Sequence, residues 1–237
     1  MLAALQAASF WFRARNRLIV WALQRYFPTA RSFLEVGCGT GFVLEAIQAA
    51  WADLTITGSE IYTAGLEFAR QRLGAVELLQ LDASALPYSN EFDVIGAFDV
   101  LEHIEADQIV LQQMHQAVRP GGGIILTVPQ HMALWSMTDE YARHVRRYSA
   151  AELVSEVSAS GFDILRTTSF VSLLLPLMVV SRRKLQREGE NRLLSELSIG
   201  GILNSLFEAT MNFERLLIER GVSFPFGGSL LLVARKP

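Results

Sequence analysis

The stretch FLEVGCGTGFVLEAI, residues Phe33–Ile47, decides the expected fold. An apolar run leads into three glycines at alternate positions, Gly37, Gly39 and Gly41, and apolar residues then recur with the period of a helix. Glycine adopts positive φ at no steric cost and lets a ligand approach the backbone closely. The stretch therefore predicts a strand, a ligand-binding turn and a helix whose N-terminus faces the ligand.

The alternation of strand and helix continues along the chain. Apolar and β-branched runs predict seven strands, at 32–37, 53–60, 76–83, 92–104 (running on into a loop), 124–130, 162–170 and 228–237. Helical patterns separate most of them, RPGGG at 119–123 is predicted as a turn, and Ser149 with Glu152 forms a capping box. This order predicts an α/β, Rossmann-like, doubly wound seven-stranded sheet that is mostly parallel.

The chain is interpreted as a single domain over 1–237. N-terminal helices occupy 1–31, a cofactor-binding core 32–170, a helical insertion or lid 171–228, and the last strand 229–237. The insertion lies between strands six and seven and is much longer than a connection requires.

Composition narrows the function classes. The chain has 237 residues, of which 51% are hydrophobic and 19% charged, so it can bury a full core. A net charge of -3 argues against a dedicated nucleic-acid binder. The single cysteine, Cys38, excludes an internal disulfide, and a cytoplasmic setting is expected. The N-terminus lacks the order of a signal peptide, and the apolar run at 170–180 is shorter than the roughly 20 residues that span a bilayer.

The glycine spacing separates several kinds of ligand. A dinucleotide loop needs its third glycine at residue 42, which is Phe42 here, so an NAD site is disfavoured. No Gly-Lys-Ser/Thr follows, which excludes a phosphate-binding P-loop. Glu35 precedes the glycines, Glu60 ends the second strand and Asp82 ends the third. Such acids repel pyrophosphate and attract a cationic ligand.

Each acid also has a simpler interpretation. Glu60 could accept both ribose hydroxyls of an adenosine or be an exposed strand-end carboxylate. Asp82 could face an adenine edge or cap the next turn, and Glu35 is expected to order the loop.

LEVGCGTG, GSE, LDASALPY, FDVIGAFDVLEHI and VRPGGGIILTVP resemble the successive motifs of class I S-adenosylmethionine-dependent methyltransferases. The resemblance is close over about 32–130 and looser to 237; it implies an antiparallel last strand, with S-adenosyl-L-methionine as cofactor and S-adenosyl-L-homocysteine as product. It also implies that Gly37, Gly39 and Gly41 pass under the methionine and ribose, that Glu60 holds the ribose, that Asp82 and Ala83 contact the adenine, and that Asp99 lies near the methionine end.

The acceptor side is expected where the strand ends open. His103 and His144 are the candidate bases, and the remaining pocket candidates are His131, Trp135, Asp139, Arg147 and Tyr148. Alternatively, His103 pins the loop, and Arg143, Arg146 and Arg147 form a solvated face. The spacing of His131, Asp139 and His144 fits no established metal site, so no metal is predicted.

The segment FVSLLLPLMVVSRRKLQR, 170–187, joins an apolar run to Arg182, Arg183, Lys184 and Arg187. It predicts either a peripheral contact with the inner face of the membrane, or a lid or subunit interface. The resulting hypothesis is methyl transfer to an O, N or C nucleophile of a small or lipid-linked acceptor. The alternatives are an NAD-dependent oxidoreductase and a non-catalytic scaffold that binds S-adenosylmethionine, and the oligomeric state is left open.

Overall fold

The protein is described by a computed structural model that covers residues 6, 8–188 and 201–237, with backbone alone for 183–188. In this part of the chain one sheet has the strand order β3-β2-β1-β4-β5-β7-β6. Its strands are β1 Ser32–Val36, β2 Thr55–Glu60, β3 Glu77–Gln80, β4 Phe92–Phe98, β5 Val118–Pro129, β6 Asp163–Phe170 and β7 Ser229–Arg235.

The sheet is parallel from β3 to β5. Strand β7 lies between β5 and β6 and is antiparallel to both, as predicted. The order of the strands reverses between β1 and β4, and a ligand crevice in such a sheet opens at the carboxyl ends of these two strands. The glycine loop follows β1 and Asp99 follows β4, so both lie at that edge.

Helices cover both faces of the sheet. They are α1 Phe10–Tyr26, α2 Phe42–Ala50, α3 Thr63–Leu73, α4 Asp107–Ala117, α5 Met137–Tyr141, α6 Ala150–Ala159, α7 Leu175–Glu188 and α8 Gly201–Glu219. One apolar cluster joins α1, α2, α3 and α8 to the sheet, and a second joins α4 and α6 to it. The predicted N-terminal and inserted helices are therefore present as α1, α7 and α8, while residues 1–5, 7 and 189–200 lie outside the described chain.

Two local predictions have different outcomes. The capping box is confirmed, because the Glu152 amide donates to Ser149 Oγ at 3.2 Å and the Ser149 amide to Glu152 Oε2 at 2.8 Å. The turn at 119–123 is wrong, because β5 runs through it and the pairing register with β4 shifts between Phe92 and Val94. A Cβ on Gly123 would lie 2.1 Å from the Ala234 carbonyl oxygen, so glycine lets the strands approach closely there.

No helix within the described ranges combines the length and apolar character that crossing a membrane requires.

Candidate functional site

The glycine loop adopts a backbone conformation that favours glycine at three positions. Gly37, Gly39 and Gly41 have φ of 70°, 52° and 74°, in the left-handed region that side chains disfavour. A Cβ on Gly37 would lie 2.5 Å from a Val100 methyl, whereas one on Gly39 would meet nothing within 4 Å. The loop is therefore packed from below at Gly37 and open at Gly39, where a ligand could lie on bare backbone.

Glu60 ties the glycine loop to the end of β2. Its carboxylate accepts the Gly39 N–H at 2.9 Å through Oε2 and the Tyr62 N–H at 3.0 Å through Oε1. Each carboxylate oxygen has a second lone pair, so these bonds leave room for further donors. The side chain is half-buried, and its ribose role stays a prediction.

Asp82 is exposed beyond β3 and caps a turn. Its Oδ1 accepts the Ser84 hydroxyl at 2.7 Å and the Ser84 amide at 2.8 Å, and these bonds lower the pKa of Asp82. Ala83, beside it, is half-buried. This geometry matches the capping interpretation, and the adenine contact remains a prediction for both residues.

Helix α1 brings an unpredicted arginine into the site. Arg15 is 6% exposed and forms an ion pair with Asp99, and its guanidinium lies 4.7 Å from the centre of the Trp11 ring. The neighbouring Asn16 donates to the Phe42 carbonyl at 2.8 Å, so α1 is fastened over the start of α2. The only sequence signal for such a contact was the presence of four arginines within the apolar pattern of α1.

Two acids are buried beneath this edge of the sheet. Burial raises the pKa of Glu35 well above its usual range, against the opposing charge of Arg15, and the Leu44 amide donates to Glu35. Burial, followed by the charge of Asp99, likewise raises the pKa of Glu102. Among the described residues neither carboxylate oxygen of Glu102 has a hydrogen-bond partner. Glu35 thus contacts the start of α2, while Glu102 is left unsatisfied.

The loops after β4 and β5 bring two predicted bases together. The rings of His103 and His144 meet edge to face with centroids 4.7 Å apart. His144 Nδ1 lies 2.9 Å from Asp139 Oδ1, and its Nε2 lies 4.0 Å from Glu102 Oε1. Partial burial and the neighbouring His144 lower the pKa of His103. His103, His144 and Glu102 therefore form one cluster.

Asp139 is the fixed anion of the acceptor loop. It is fully buried and accepts from the Ser136 amide at 2.8 Å, from Arg147 at 2.7 Å and from Arg182 at 3.2 Å. Burial would raise its pKa, yet the bonds from His144 and Arg147 and the charges of Arg147 and Arg182 hold that pKa well below its usual range. An ionised carboxylate only accepts, so Nδ1 of His144 carries the hydrogen.

The other predicted pocket residues divide into two groups. His131, with φ of 62°, and Trp135 are half-buried on the loop. Arg147 and Tyr148 are buried, and Tyr148 donates to Asp107 of α4 at 2.5 Å. The structure therefore does not place these last two in an open pocket, because the loop folds back onto α4.

The arginines of this loop do not form the solvated face that was the alternative interpretation. Arg146 forms a 2.7 Å ion pair with Asp107, and Arg147 is buried on Asp139, whereas Arg143 is exposed. Arg182, from α7, points inward to the Leu134 carbonyl and to Asp139. The side chains of Arg183, Lys184 and Arg187 lie outside the described part of the chain.

Comparison with known sequences points in one direction. Residues 4–167 match the family model described as a methyltransferase domain. A probable S-adenosylmethionine-dependent methyltransferase of Mycolicibacterium smegmatis is 25% identical over 168 residues, covering 69% of this chain and 63% of the relative. A ubiquinone biosynthesis O-methyltransferase of Pseudomonas putida is 32% identical over 113 residues, covering 45% and 48%. The chain thus spans less than two thirds of the length of these curated relatives.

Solved structures agree on the fold. The [4+2]-cyclase SpnF matches with a TM-score of 0.63 at 21% identity, over 96% of this chain and 83% of its own. Phosphoethanolamine N-methyltransferase 2 of Haemonchus contortus, solved with S-adenosyl-L-methionine, matches with 0.62 at 17% identity, over 94% and 52%. At these identities the likeness confirms the predicted fold alone, and the cyclase shows that this fold does not fix a reaction.

Proposed function

This chain belongs to the methyltransferase-domain family, and on that premise we propose that it transfers the methyl group of S-adenosylmethionine to an O, N or C nucleophile of a small or lipid-linked acceptor. The observation that carries the proposal is the glycine loop with its acids: Glu60 bonded to Gly39, and Asp99 at the end of β4. S-adenosylhomocysteine would be the product.

The charges at this edge of the sheet suit the proposed cofactor. S-adenosylmethionine carries a sulfonium and an ammonium, both cationic, and one carboxylate, with no phosphate. Asp99 attracts the cations, and Arg15 offers a guanidinium for the carboxylate. Glu60, on the far side of the loop, is where ribose hydroxyls would donate.

The proposed methyl transfer requires the protein mainly to align the nucleophile with the methyl group and the sulfur. In an in-line displacement the methyl carbon is already activated, so holding nucleophile and sulfonium in line supplies most of the acceleration. Because Asp139 fixes the Nδ1 hydrogen of His144, a neutral His144 presents a lone pair at Nε2 beside His103. A lone pair there can receive the acceptor's proton, either directly or through a group bound to it.

The alternative nicotinamide reaction has less support. Phe42 occupies the place of the third dinucleotide glycine, and its ring lies 5.0 Å from the Arg72 guanidinium and 6.1 Å from the Phe12 ring. Such packing replaces the close helix–strand contact that a glycine would allow. A non-catalytic scaffold binding the same cofactor remains the second alternative.

Two measurements separate these functions. Calorimetry with S-adenosylhomocysteine and with NAD should give binding of the first alone. Radiolabelled S-adenosylmethionine, incubated with fractionated cell extract, should transfer label to an acceptor in the lipid or the aqueous phase. Binding of NAD but not S-adenosylhomocysteine would favour the oxidoreductase, and cofactor binding with no labelled product in any fraction would favour the scaffold.

We also propose that residues 170–187 make a peripheral contact with the inner face of the membrane and help to admit an apolar acceptor. Leu177 and Val180 of α7 are exposed, while Arg182 on the same helix points inward to Asp139. The helix therefore has one face for the acceptor loop and one apolar face outward, as an interfacial helix does. Flotation with anionic liposomes tests this, and absence of co-flotation would leave α7 as a lid or a subunit interface.

A further inference from the structure

Three side chains at the acceptor end of the site converge without satisfying one another. One ligand atom each from Glu102, His103 and His144 lie within 4.8 Å of one another. Within the cluster, Oε1 of the Glu102 side chain lies 4.0 Å from His144 Nε2, which is too long for a hydrogen bond. The cluster therefore surrounds a point that none of the three side chains occupies.

Glu102 is the member that needs an explanation. Its side chain is fully buried, and among the described residues neither carboxylate oxygen has a hydrogen-bond partner. A buried carboxyl group without partners costs free energy, and proteins retain such groups where an ion or another ligand completes them. A bound cation would satisfy both its charge and its lone pairs.

Both imidazoles are held as metal-ligating histidines are held. Asp139 accepts the Nδ1 hydrogen of His144 at 2.9 Å, which leaves Nε2 directed to the cluster. The His103 ring lies edge to face on the His144 ring, with the centroids 4.7 Å apart, and offers one of its nitrogens to the cluster. A carboxylate or a backbone carbonyl on the second ring nitrogen is the usual support of a metal-bound histidine.

We propose that Glu102, His103 and His144 bind one divalent transition-metal cation of the zinc type at the acceptor end of the site. Two imidazoles and a carboxylate suit borderline metals, at bond lengths of about 2.0–2.2 Å. Ligand atoms around such an ion lie about 3.4 Å apart in a tetrahedron, so rotations of exposed His103 and neighbouring side chains would close the cluster. Three protein ligands leave a coordination position open for an acceptor.

This proposal rests on the proposed methyl transfer and specifies its acceptor as a hydroxyl compound. With its Nε2 bound to the cation, His144 does not act as the base; the cation would instead lower the pKa of a coordinated hydroxyl, whose proton passes to water. The resulting oxygen anion attacks the methyl carbon, the new O–C bond forms as the C–S bond breaks, and neutral S-adenosylhomocysteine leaves. The sequence did not predict this site, because the spacing of His131, Asp139 and His144 fits no established metal site. The three side chains that converge in the structure come from two separate loops.

Titration with Co²⁺ tests the site without any acceptor. Tag-free protein in a non-chelating buffer, stripped with a chelator, is titrated and followed by visible absorption and calorimetry. We expect one ion per chain with the absorption bands of nitrogen- and oxygen-bound Co²⁺. His103→Ala, His144→Ala and Glu102→Gln should each weaken binding at least about tenfold, and Asp139→Asn, which removes the negative charge that supports His144, about ten- to a hundredfold.

His115→Ala is the matched control, since its ring packs on Phe162 away from the cluster. Thermal unfolding checks that each variant is folded. If a variant at a buried residue does not fold, the result for His103→Ala decides the test, because His103 is exposed. No Co²⁺ binding, or equal weakening by His115→Ala, overturns the proposal. Calorimetry with S-adenosylhomocysteine on the same samples separates the two proposals. If the protein binds S-adenosylhomocysteine but not Co²⁺, only the metal site is contradicted. If it binds Co²⁺ but not S-adenosylhomocysteine, only the proposed function is contradicted.

Discussion

Glu60 shows how one carboxylate connects the loop's shape to its ligand. By accepting the Gly39 N–H at 2.9 Å it holds the loop in the form that its positive φ angles describe. A Cβ on Gly39 would meet nothing within 4 Å, so the loop is open beside this carboxylate's partner. Glu60 therefore orders the loop, and its proposed contact with the ribose can be tested by a substitution that keeps the shape of the side chain but removes its charge.

We predict that Glu60→Gln weakens S-adenosylhomocysteine binding by about ten- to a hundredfold, because hydrogen bonds to a charged group contribute about 1.5–3 kcal/mol. Glu60→Ala, which also frees the Gly39 amide, should abolish measurable binding. Calorimetry measures both, with the exposed Glu67→Gln of α3 as the control. Unchanged affinity in Glu60→Ala would remove this residue from the cofactor site.

Helix α1 contacts the edge of the sheet where the proposed cofactor site lies, through Arg15 on Asp99 and Asn16 on the start of α2. Arg15 pairs with Asp99, while Arg13 and Arg17, on another face, both pair with Glu208 of α8. The helix thus joins the cofactor edge to the insertion between β6 and β7. A bound cofactor and the inserted helices would be linked through it.

We predict that Arg15→Met lowers the free energy of unfolding by about 3 kcal/mol, because it leaves Asp99 without its buried partner. Arg17→Met, on the same helix but 37% exposed at its side chain, should cost less than about 1 kcal/mol. Urea denaturation measures both. Equal losses would mean that Arg15 contributes only as a surface ion pair does.

Strand β5 gives a second prediction at this scale. A Cβ at residue 123 would lie 2.1 Å from the Ala234 carbonyl oxygen, a backbone atom that cannot rotate away. Gly123→Ala should therefore destabilise the protein by about 2 kcal/mol or more, since β7 must shift. Gly201→Ala, where the added carbon meets nothing within 4 Å, is the control. Chemical denaturation with no difference between them would contradict the close approach.

Across the whole molecule, local patterns predicted more than long-range contacts did. The glycine loop, the seven strands and the capping box each depend on residues that are close in sequence, so periodicity and spacing predict them. The Arg15–Asp99 pair joins residues 84 positions apart, and the approach of Arg182 to Asp139 joins residues 43 apart. Such contacts follow from how helices dock on the sheet, which no local pattern states. The hydrogen bond from Tyr148 to Asp107, 41 positions away, is a further contact of this kind.

The buried acids also set how the stability of the whole molecule changes with pH. Burial raises the pKa of Glu35 above its value of 4.5 in a model compound, against the charge of Arg15. From pH 4.5 upward the unfolded chain loses this proton while the folded protein keeps it. The folded state then binds more protons, so the contribution of Glu35 to stability falls as pH rises, until the folded pKa is reached.

We predict that Glu35→Gln flattens this decline. In the parent protein one such acid removes about 1.4 kcal/mol of unfolding free energy per pH unit within that window, and a glutamine carries no titrating proton. Urea denaturation from pH 5 to 8 measures the slope, with exposed Glu67→Gln as the control that should leave it unchanged. A slope equal in all three proteins would mean that Glu35 is ionised in the fold, held by the charge of Arg15 despite its burial.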